Sequence, residues 1–239
     1  MLKAITFDFW DTLYKTPDQM GTSLRRINAF ADTLQDLGYK AEHEAISQAF
    51  YDCWQYANHY QIECGLDITP RGHVDFILKQ LRIELNLEDW NRVYNTYTKV
   101  LANYPPQVNH GVYETLPLLA EKFKLAVICN TGATPGKLLR EIMKADDIFK
   151  YFAFALFSDE VQWAKPNVKI FAYALEKLDI PGNEAAHVGD NRSTDVAGAK
   201  RAGMRAIWLA PAETAKCEEC DFQIREIKEL LSLLVHCQP

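Results

Sequence analysis

Short apolar runs and amphipathic stretches alternate along most of this chain. The runs at 2–9, 125–129, 152–157, 185–188, 205–209 and 222–224 are rich in β-branched and aromatic residues and carry few polar positions. Near-continuous apolarity over so few residues predicts strands covered on both faces. Between the later runs, apolar residues recur at helical spacing over 135–145, 168–178 and 195–202. Strands alternating with helices form right-handed crossovers, so the expected fold is α/β, a Rossmann-like three-layer core with a mostly parallel sheet.

The stretch from 16 to 108 has a different texture. It shows no strand pattern, only helical periodicity over 22–37, 42–60, 70–85 and 88–102. Asp67 and Thr69 precede Pro70, which suits the first turn of a helix, and Pro105-Pro106 closes the helical block. The expected organisation is an α/β core made of residues 1–15 and 109–239, with an all-helical domain of residues 16–108 inserted after the first strand. The insertion's aromatics (Phe50, Tyr51, Trp54, Tyr56, Tyr60, Trp90, Tyr94 and Tyr97) are expected chiefly in bundle packing, with some available to line a cavity between the two parts. His43, His59 and His73 share no metal-like spacing and read as surface or capping residues. Arg25, Arg26 and Arg71 could reach a carboxylate or a second phosphate, but read first as solvated cations.

Composition narrows the function. The chain has 239 residues, 48% of them hydrophobic, enough to bury a core. Its formal charge of −6 argues against nucleic-acid polymers but leaves room for a local phosphate pocket. No apolar run approaches a membrane span. Asp8 and Asp11 interrupt the place where a signal peptide would be apolar, so a cytoplasmic protein with six reduced thiols is expected. Cys217 and Cys220, with His236 and Cys237 further on, raise a zinc site, but the spacing matches no strong template and two thiols beside a surface turn is the simpler reading. Nothing in the sequence fixes an oligomeric state.

In an open α/β sheet, ligands gather beyond the carboxyl ends of the strands. The polar residues there are Asp8 and Asp11 after the first run, Asn130 and Thr131 after the second, and Asp190 followed by Asp195 after the run at 185–188. Lys165 lies in the connection before that run. Several carboxylates brought together need a cation, and Mg²⁺ takes one or two carboxylates with waters and substrate phosphate. Asp8 and Asp190 are the direct candidates, with Asp195 in or behind them. Lys165 can neutralise the remainder and hold phosphate oxygens, and backbone amides near Asn130 and Thr131 can add donors.

In order and residue type these segments resemble the haloacid dehalogenase-like hydrolase superfamily. Its four motifs correspond here to Asp8-Phe9-Trp10-Asp11-Thr12-Leu13, Cys129-Asn130, Lys165-Pro166, and Gly189-Asp190 through Asp195. The most specific part is Phe157-Ser-Asp-Glu-Val with Lys165-Pro and Ile170-Phe171, then His187-Val-Gly-Asp190, Asp195-Val-Ala-Gly-Ala and Ala202-Gly-Met204. The resemblance implies that the helical insertion is a cap and that Asp8 attacks the phosphorus of a small phosphorylated metabolite, forming an aspartyl-phosphate that water hydrolyses. It also implies Mg²⁺ on Asp8, the Trp10 carbonyl and Asp190, Lys165 paired with Asp8, and a phosphate oxygen bound by the Cys129–Asn130–Thr131 segment.

Two positions depart from the pattern. Family phosphatases carry a second Asp, a general acid/base, where this chain has Trp10, whose indole N–H does not titrate in this range. Asp11 is adjacent, but neighbours on an extended segment point to opposite sides. Cys129 stands where the family has Ser or Thr, a weaker donor in place of a hydroxyl. These departures keep other readings open: a catalytically weak or inactive binding protein, a dehalogenase, or a phosphonate-cleaving relative. Dehalogenation needs no metal, and the retained Asp190 weighs against it.

Overall fold

The structure is a computed structural model, and it describes residues 1–16, 18–210 and 216–235. Strand β1 (Ala4–Phe7) opens the chain and is followed by helices α1 (Gln19–Asp36), α2 (His43–Cys64), α3 (Thr69–Leu81), α4 (Leu87–Thr98) and α5 (Val100–Asn103). Helix α6 (Val112–Ala120) then leads to β2 (Lys124–Cys129), α7 (Gly136–Ala145), β3 (Phe154–Phe157), a short α8 (Ser158–Val161) and α9 (Val168–Leu178). The chain continues through β4 (Ala185–Gly189), α10 (Ala197–Arg201), β5 (Arg205–Leu209), β6 (Phe222–Ile224) and α11 (Glu229–Val235).

The six strands form one sheet in the order β3-β2-β1-β4-β5-β6, parallel throughout. Side chains alternate between its faces because the strand period is two. Ile5, Phe7, Val127, Cys129, Phe157 and Val188 face one layer, covered by Leu116 of α6, Leu139 and Met143 of α7 and Leu230 of α11. Ala4, Ala126, Ile128, Leu156 and Trp208 face the other, under Ile170, Phe171 and Ala174 of α9. Burial on both faces explains why the strand runs carry so few polar residues. The doubly wound α/β fold is the one expected.

Helices α1 to α4 pack around a separate apolar cluster of Phe30, Leu34, Ile46, Cys53, Val74, Ile77, Val93 and Tyr97. Helix starts follow local chemistry. Asn86 accepts from the Asp89 N–H at 3.0 Å to cap α4, and Asp67 accepts from the Thr69 N–H at 2.5 Å before Pro70 in the first turn of α3. Helix α6 was not anticipated: Pro117 sits inside it and interrupts the sequence pattern of a helix. No helix among the described residues is long and apolar enough to cross a membrane.

Helix α7 starts against β3 without room for a side chain. A Cβ on Gly136 would lie 2.3 Å from Cβ and Cγ of the fully buried Phe157. Gly136→Ala is therefore expected to destabilise the protein by about 1–3 kcal/mol. A urea-unfolding midpoint at or above wild type would contradict this packing.

Candidate active site

The chemistry-bearing side chains converge at the carboxyl ends of β1, β2 and β4, the adjacent central strands of the sheet. Asp8 directly follows β1, and its N–H extends the ladder to the Val188 carbonyl at 2.9 Å. The next turn reverses sharply, with the N–H groups of Leu13 and Tyr14 both donating to the Phe9 carbonyl. Asp11 lies in that turn at φ 50°, a left-handed conformation that Asp tolerates. Its Oδ1 accepts from the Thr16 N–H at 2.9 Å and its Oδ2 from the Thr16 hydroxyl at 2.6 Å. Both Asp11 oxygens are thus engaged in the turn, although the residue lines the cavity described below.

Lys165 is the hub of the site. Its Nζ lies 2.7 Å from Asp8 Oδ1 and 2.6 Å from Asp195 Oδ1, and the side chain is 1% exposed. Its backbone is clamped by the Asn130 side chain, whose Oδ1 accepts from the Lys165 N–H at 2.7 Å and whose Nδ2 donates to the Lys165 carbonyl at 2.9 Å. Asp195 is fixed from behind: the Asn191 N–H donates to its Oδ2 at 3.0 Å, and His187 Nε2 lies 3.2 Å from its Oδ1. His187 is held in turn by the Thr6 hydroxyl, 2.8 Å from Nδ1. Gly189 permits this arrangement, because a Cβ there would meet Asp195 Cγ at 2.3 Å.

Burial raises the Asp8 carboxyl to about 8, with Lys165 opposing and Asp195 and Asp190 reinforcing the push. Asp190 rises to about 7, first through burial and then through Asp195. Burial would raise Asp195 as well, but Lys165 and His187 outweigh it and hold that group below the usual carboxylate range. Burial would lower Lys165, yet the two carboxylates keep it firmly cationic. One lysine therefore faces three acids, and the two less firmly paired acids hold their protons most tightly.

One ligand oxygen from each of Asp8, Asp190 and Asp195 can be chosen so that all lie within 4.8 Å of one another. An all-oxygen, carboxylate-rich donor set suits a hard divalent cation. Cys217 and Cys220 are free thiols in the turn before β6; Cys217 is buried rather than at the surface, and its Sγ accepts from the Cys220 N–H at 3.3 Å. His236 and Cys237 lie outside the described residues.

The segment after β2 is only partly as expected. Asn130 and Thr131 line the cavity, but the Cys129 side chain does not: strand alternation turns it into the core beside Phe7 and Leu139, and its Sγ donates to the Asn130 carbonyl at 3.4 Å. Burial, then the nearby Asp8 charge, pushes its thiol well up, so it stays protonated. The Thr131 N–H is already used, donating to Ser158 Oγ at 2.9 Å. The Thr131 hydroxyl donates to Asp67 Oδ2 at 3.3 Å, and Ser158 donates to the same oxygen. The sequence gives no role in the site to Ser158, Asp67 or His187, although Ser158 and His187 lie in segments that carry the family resemblance. Asp67 carried only the signal of a helix start, and partners 64 and 91 residues away leave no local pattern.

A cavity of about 670 Å³ joins this cluster to the helical insertion. Asp8, Asp190 and Lys165 line it from one side, and Arg26, Phe50, Trp54, His73 and Tyr97 from the other. Trp10, stacked edge-on against Phe9, also lines it. Two expectations are corrected here. His73 is not at the surface but buried, since it shares the apolar face of α3 with Val74 and Ile77, and its Nδ1 lies 2.9 Å from the Tyr97 hydroxyl. Arg26 is not a solvated cation but part of the cavity wall, whereas Arg25 and Arg71 are exposed and lie over the rings of Tyr104 and Trp90.

A doubly wound sheet bearing an Asp and a Lys in contact, with further carboxylates beside them at the carboxyl ends of its strands, is an arrangement suited to a hydrolase with a carboxylate nucleophile. The sequence profile of the haloacid dehalogenase-like hydrolases matches residues 2–203, and the chain belongs to that family. The 5-amino-6-(5-phospho-D-ribitylamino)uracil phosphatase YigB of Escherichia coli is 28% identical over 97% of this chain and 94% of that protein. The glyceraldehyde 3-phosphate phosphatase of Methanothermobacter thermautotrophicus is 29% identical over 98% of each. Among solved structures, a 2-haloacid dehalogenase from Pseudomonas syringae superposes with a TM-score of 0.72 at 25% identity, covering both chains fully.

Buried His73 gives this fold an acid-sensitive point. Burial, reinforced by Arg26, lowers its pKa to about 4 from the ordinary imidazole value of 6.5. Between those values the unfolded chain binds the proton and the folded chain does not, so stability is complete above about pH 6.5 and falls as the pH drops towards 4. The loss amounts to about 3 kcal/mol. His73→Gln is expected to flatten this acid limb in urea midpoints measured from pH 4 to 7.

Proposed function

We propose that this protein is a Mg²⁺-dependent phosphatase of small phosphorylated metabolites, acting in the cytoplasm with Asp8 as its nucleophile. The observation that carries the reading is the Asp8–Lys165 contact of 2.7 Å within a three-carboxylate cluster, of which Asp8 and Asp190 line the cavity. The relatives named as phosphatases support it.

In this reading an Asp8 oxygen attacks phosphorus while the bond to the leaving oxygen breaks, giving an aspartyl-phosphate and an alcohol. Water then attacks the same phosphorus, which returns the Asp8 carboxylate and releases phosphate. Lys165 orients Asp8 and offers its remaining proton to the phosphoryl oxygens, while Asp195 holds Lys165 in place. Asn130 acts through the Lys165 backbone, and Cys129 supports the strand end from the core side. Asp8, Asp190 and the Trp10 carbonyl would hold Mg²⁺, with Asp195 behind them. When bound, the ion supplies the positive charge that keeps the acids ionised and draws in the anionic phosphoryl group. Residues 16–108 serve as the cap that closes the cavity and selects the substrate.

Trp10 shapes the choice of leaving group. With an indole in place of a carboxyl, water must protonate the departing oxygen, so esters of acidic alcohols are favoured. The likeness to a dehalogenase and the aromatic Trp10 suit halide displacement too, but that reaction has no use for a carboxylate cluster of this density.

The test is phosphate release from a panel of phosphomonoesters, with and without Mg²⁺, for wild type and Asp8→Asn. Mg²⁺-dependent turnover that falls roughly 10³-fold or more in the variant is expected. Equal rates in both proteins would remove Asp8 from the mechanism, halide release persisting in EDTA would favour dehalogenation, and binding without turnover would favour a non-catalytic role. Trp10→Asp is expected to raise kcat for alkyl esters by about 10²-fold while changing aryl phosphates little. A parallel change in both classes would show that Trp10 does not set leaving-group dependence.

A further inference from the structure

Arg26 is the unusual charge in the cavity. Its Nε donates to the Tyr97 carbonyl at 2.8 Å and its Nη2 to the Thr134 hydroxyl at 3.3 Å. The guanidinium also lies over the Tyr97 ring, 5.3 Å from the centroid. These contacts fix its direction, yet all are to neutral groups. Among the described residues no carboxylate comes within 4.0 Å of Arg26, whereas Lys165, the other cation on the cavity wall, contacts two. Nη1 has no acceptor on the described residues.

Its neighbours are unsatisfied as well. Among the described residues, His73 Nε2 and Thr22 Oγ1 are buried without a partner, and both residues line the same cavity. Whichever ring nitrogen of His73 carries the proton, Nε2 has nothing to bond, because the Tyr97 hydroxyl occupies Nδ1. Buried polar atoms are normally paired, and a desolvated cation is normally matched by an anion. Tyr97 ties the group together: its carbonyl and ring hold Arg26, and its hydroxyl holds His73.

From this arrangement we propose that Arg26, supported by Tyr97 and Thr134, is a specificity-determining residue that binds a second anionic group of the substrate, a carboxylate or a second phosphate remote from the reacting phosphoryl. His73 and Thr22 lie beside it as further polar partners. The identity of the reacting end rests on the phosphatase reading, but the anion subsite stands on Arg26 itself. The preferred substrates are then doubly anionic phosphomonoesters, held by the carboxylate–lysine cluster through one group and by the helical insertion through the other.

The experiment compares kcat/KM for hydroxyl-ended and anion-ended pairs: glycerol phosphate against phosphoglycerate, and fructose monophosphate against fructose bisphosphate. The first pair reads a carboxylate and the second a phosphate, so the pair with the larger ratio identifies the anion. In wild type the anion-ended member is expected to be favoured ~10–100-fold. Arg26→Gln should collapse that ratio through KM, Arg26→Lys should retain part of it, and Arg25→Gln on the exposed side of α1 should keep it whole. A ratio that survives Arg26→Gln, or that is absent from wild type, overturns the proposal. If wild type turns over no ester, the phosphatase reading fails and calorimetric binding decides the subsite. Phosphoglycerate should then bind Asp8→Asn more tightly than it binds the Asp8→Asn, Arg26→Gln double variant, and equal affinities overturn the proposal.

Discussion

The contact on which this site depends is one ammonium group shared by two buried carboxylates. Lys165 Nζ lies within 2.7 Å of oxygens from Asp8 and Asp195, which follow different strands. Burial pushes both carboxyls towards their neutral forms, and Lys165 opposes that push at each, prevailing at Asp195 and only partly at Asp8. Breaking a buried pair of this kind by removing one partner costs about 3–5 kcal/mol, so the connection carrying Lys165 and the ends of β1 and β4 are held in one arrangement. Much of the surrounding polar structure serves to place these three groups. Asn130 fixes the Lys165 backbone, Asn191 and His187 fix Asp195, and Gly189 leaves room for the Asp195 carboxyl.

The same contact explains which parts of the site could be read from the chain. Asp8, Asn130 and Asp190 stand immediately after apolar runs, so the rule that ligands gather at strand ends points to them directly. Lys165 and Asp195 sit in connections, so the same rule marks them only as nearby candidates, and their pairing with Asp8 depends on tertiary packing. Strand positions were legible because burial on both faces removes polar residues, while α6 was hidden by Pro117. The fate of hydrogen-bonding groups was the least legible feature. A strand-end threonine looks like a phosphate donor until Ser158 is found occupying its amide, and a strand-end cysteine looks exposed until alternation turns it inward.

The helical insertion is joined to the core by polar bonds as well as by the cavity. Asp67, between α2 and α3, accepts from Thr131 and Ser158 of the core while also capping Thr69. Burial raises its carboxyl, and these three donors pull it back. A single acid therefore reports the placement of the segment after β2 to the start of α3. Because Ser158 also holds the Thr131 amide, displacement of α3 would alter the same segment that clamps Lys165 through Asn130.

Charge within the cavity then follows a simple logic. The strand-end side carries more carboxylates than its lysine can match, and the insertion carries, in Arg26, a guanidinium with no acid in contact among the described residues. These opposite imbalances do not cancel, because Tyr97 and Thr134 hold Arg26 where it stands and Lys165 holds Asp8. In the proposed mechanism, an Arg26 paired with Asp8 would take the nucleophile out of use, so keeping them apart preserves reactivity at the expense of an unmatched charge on each side. A cation among the acids, with a ligand anionic at both ends, satisfies both imbalances at once. A neutral or singly charged ligand leaves one of them standing. The net negative charge of the chain is therefore a poor guide to what it binds: the deciding quantity is how the few charges inside are paired.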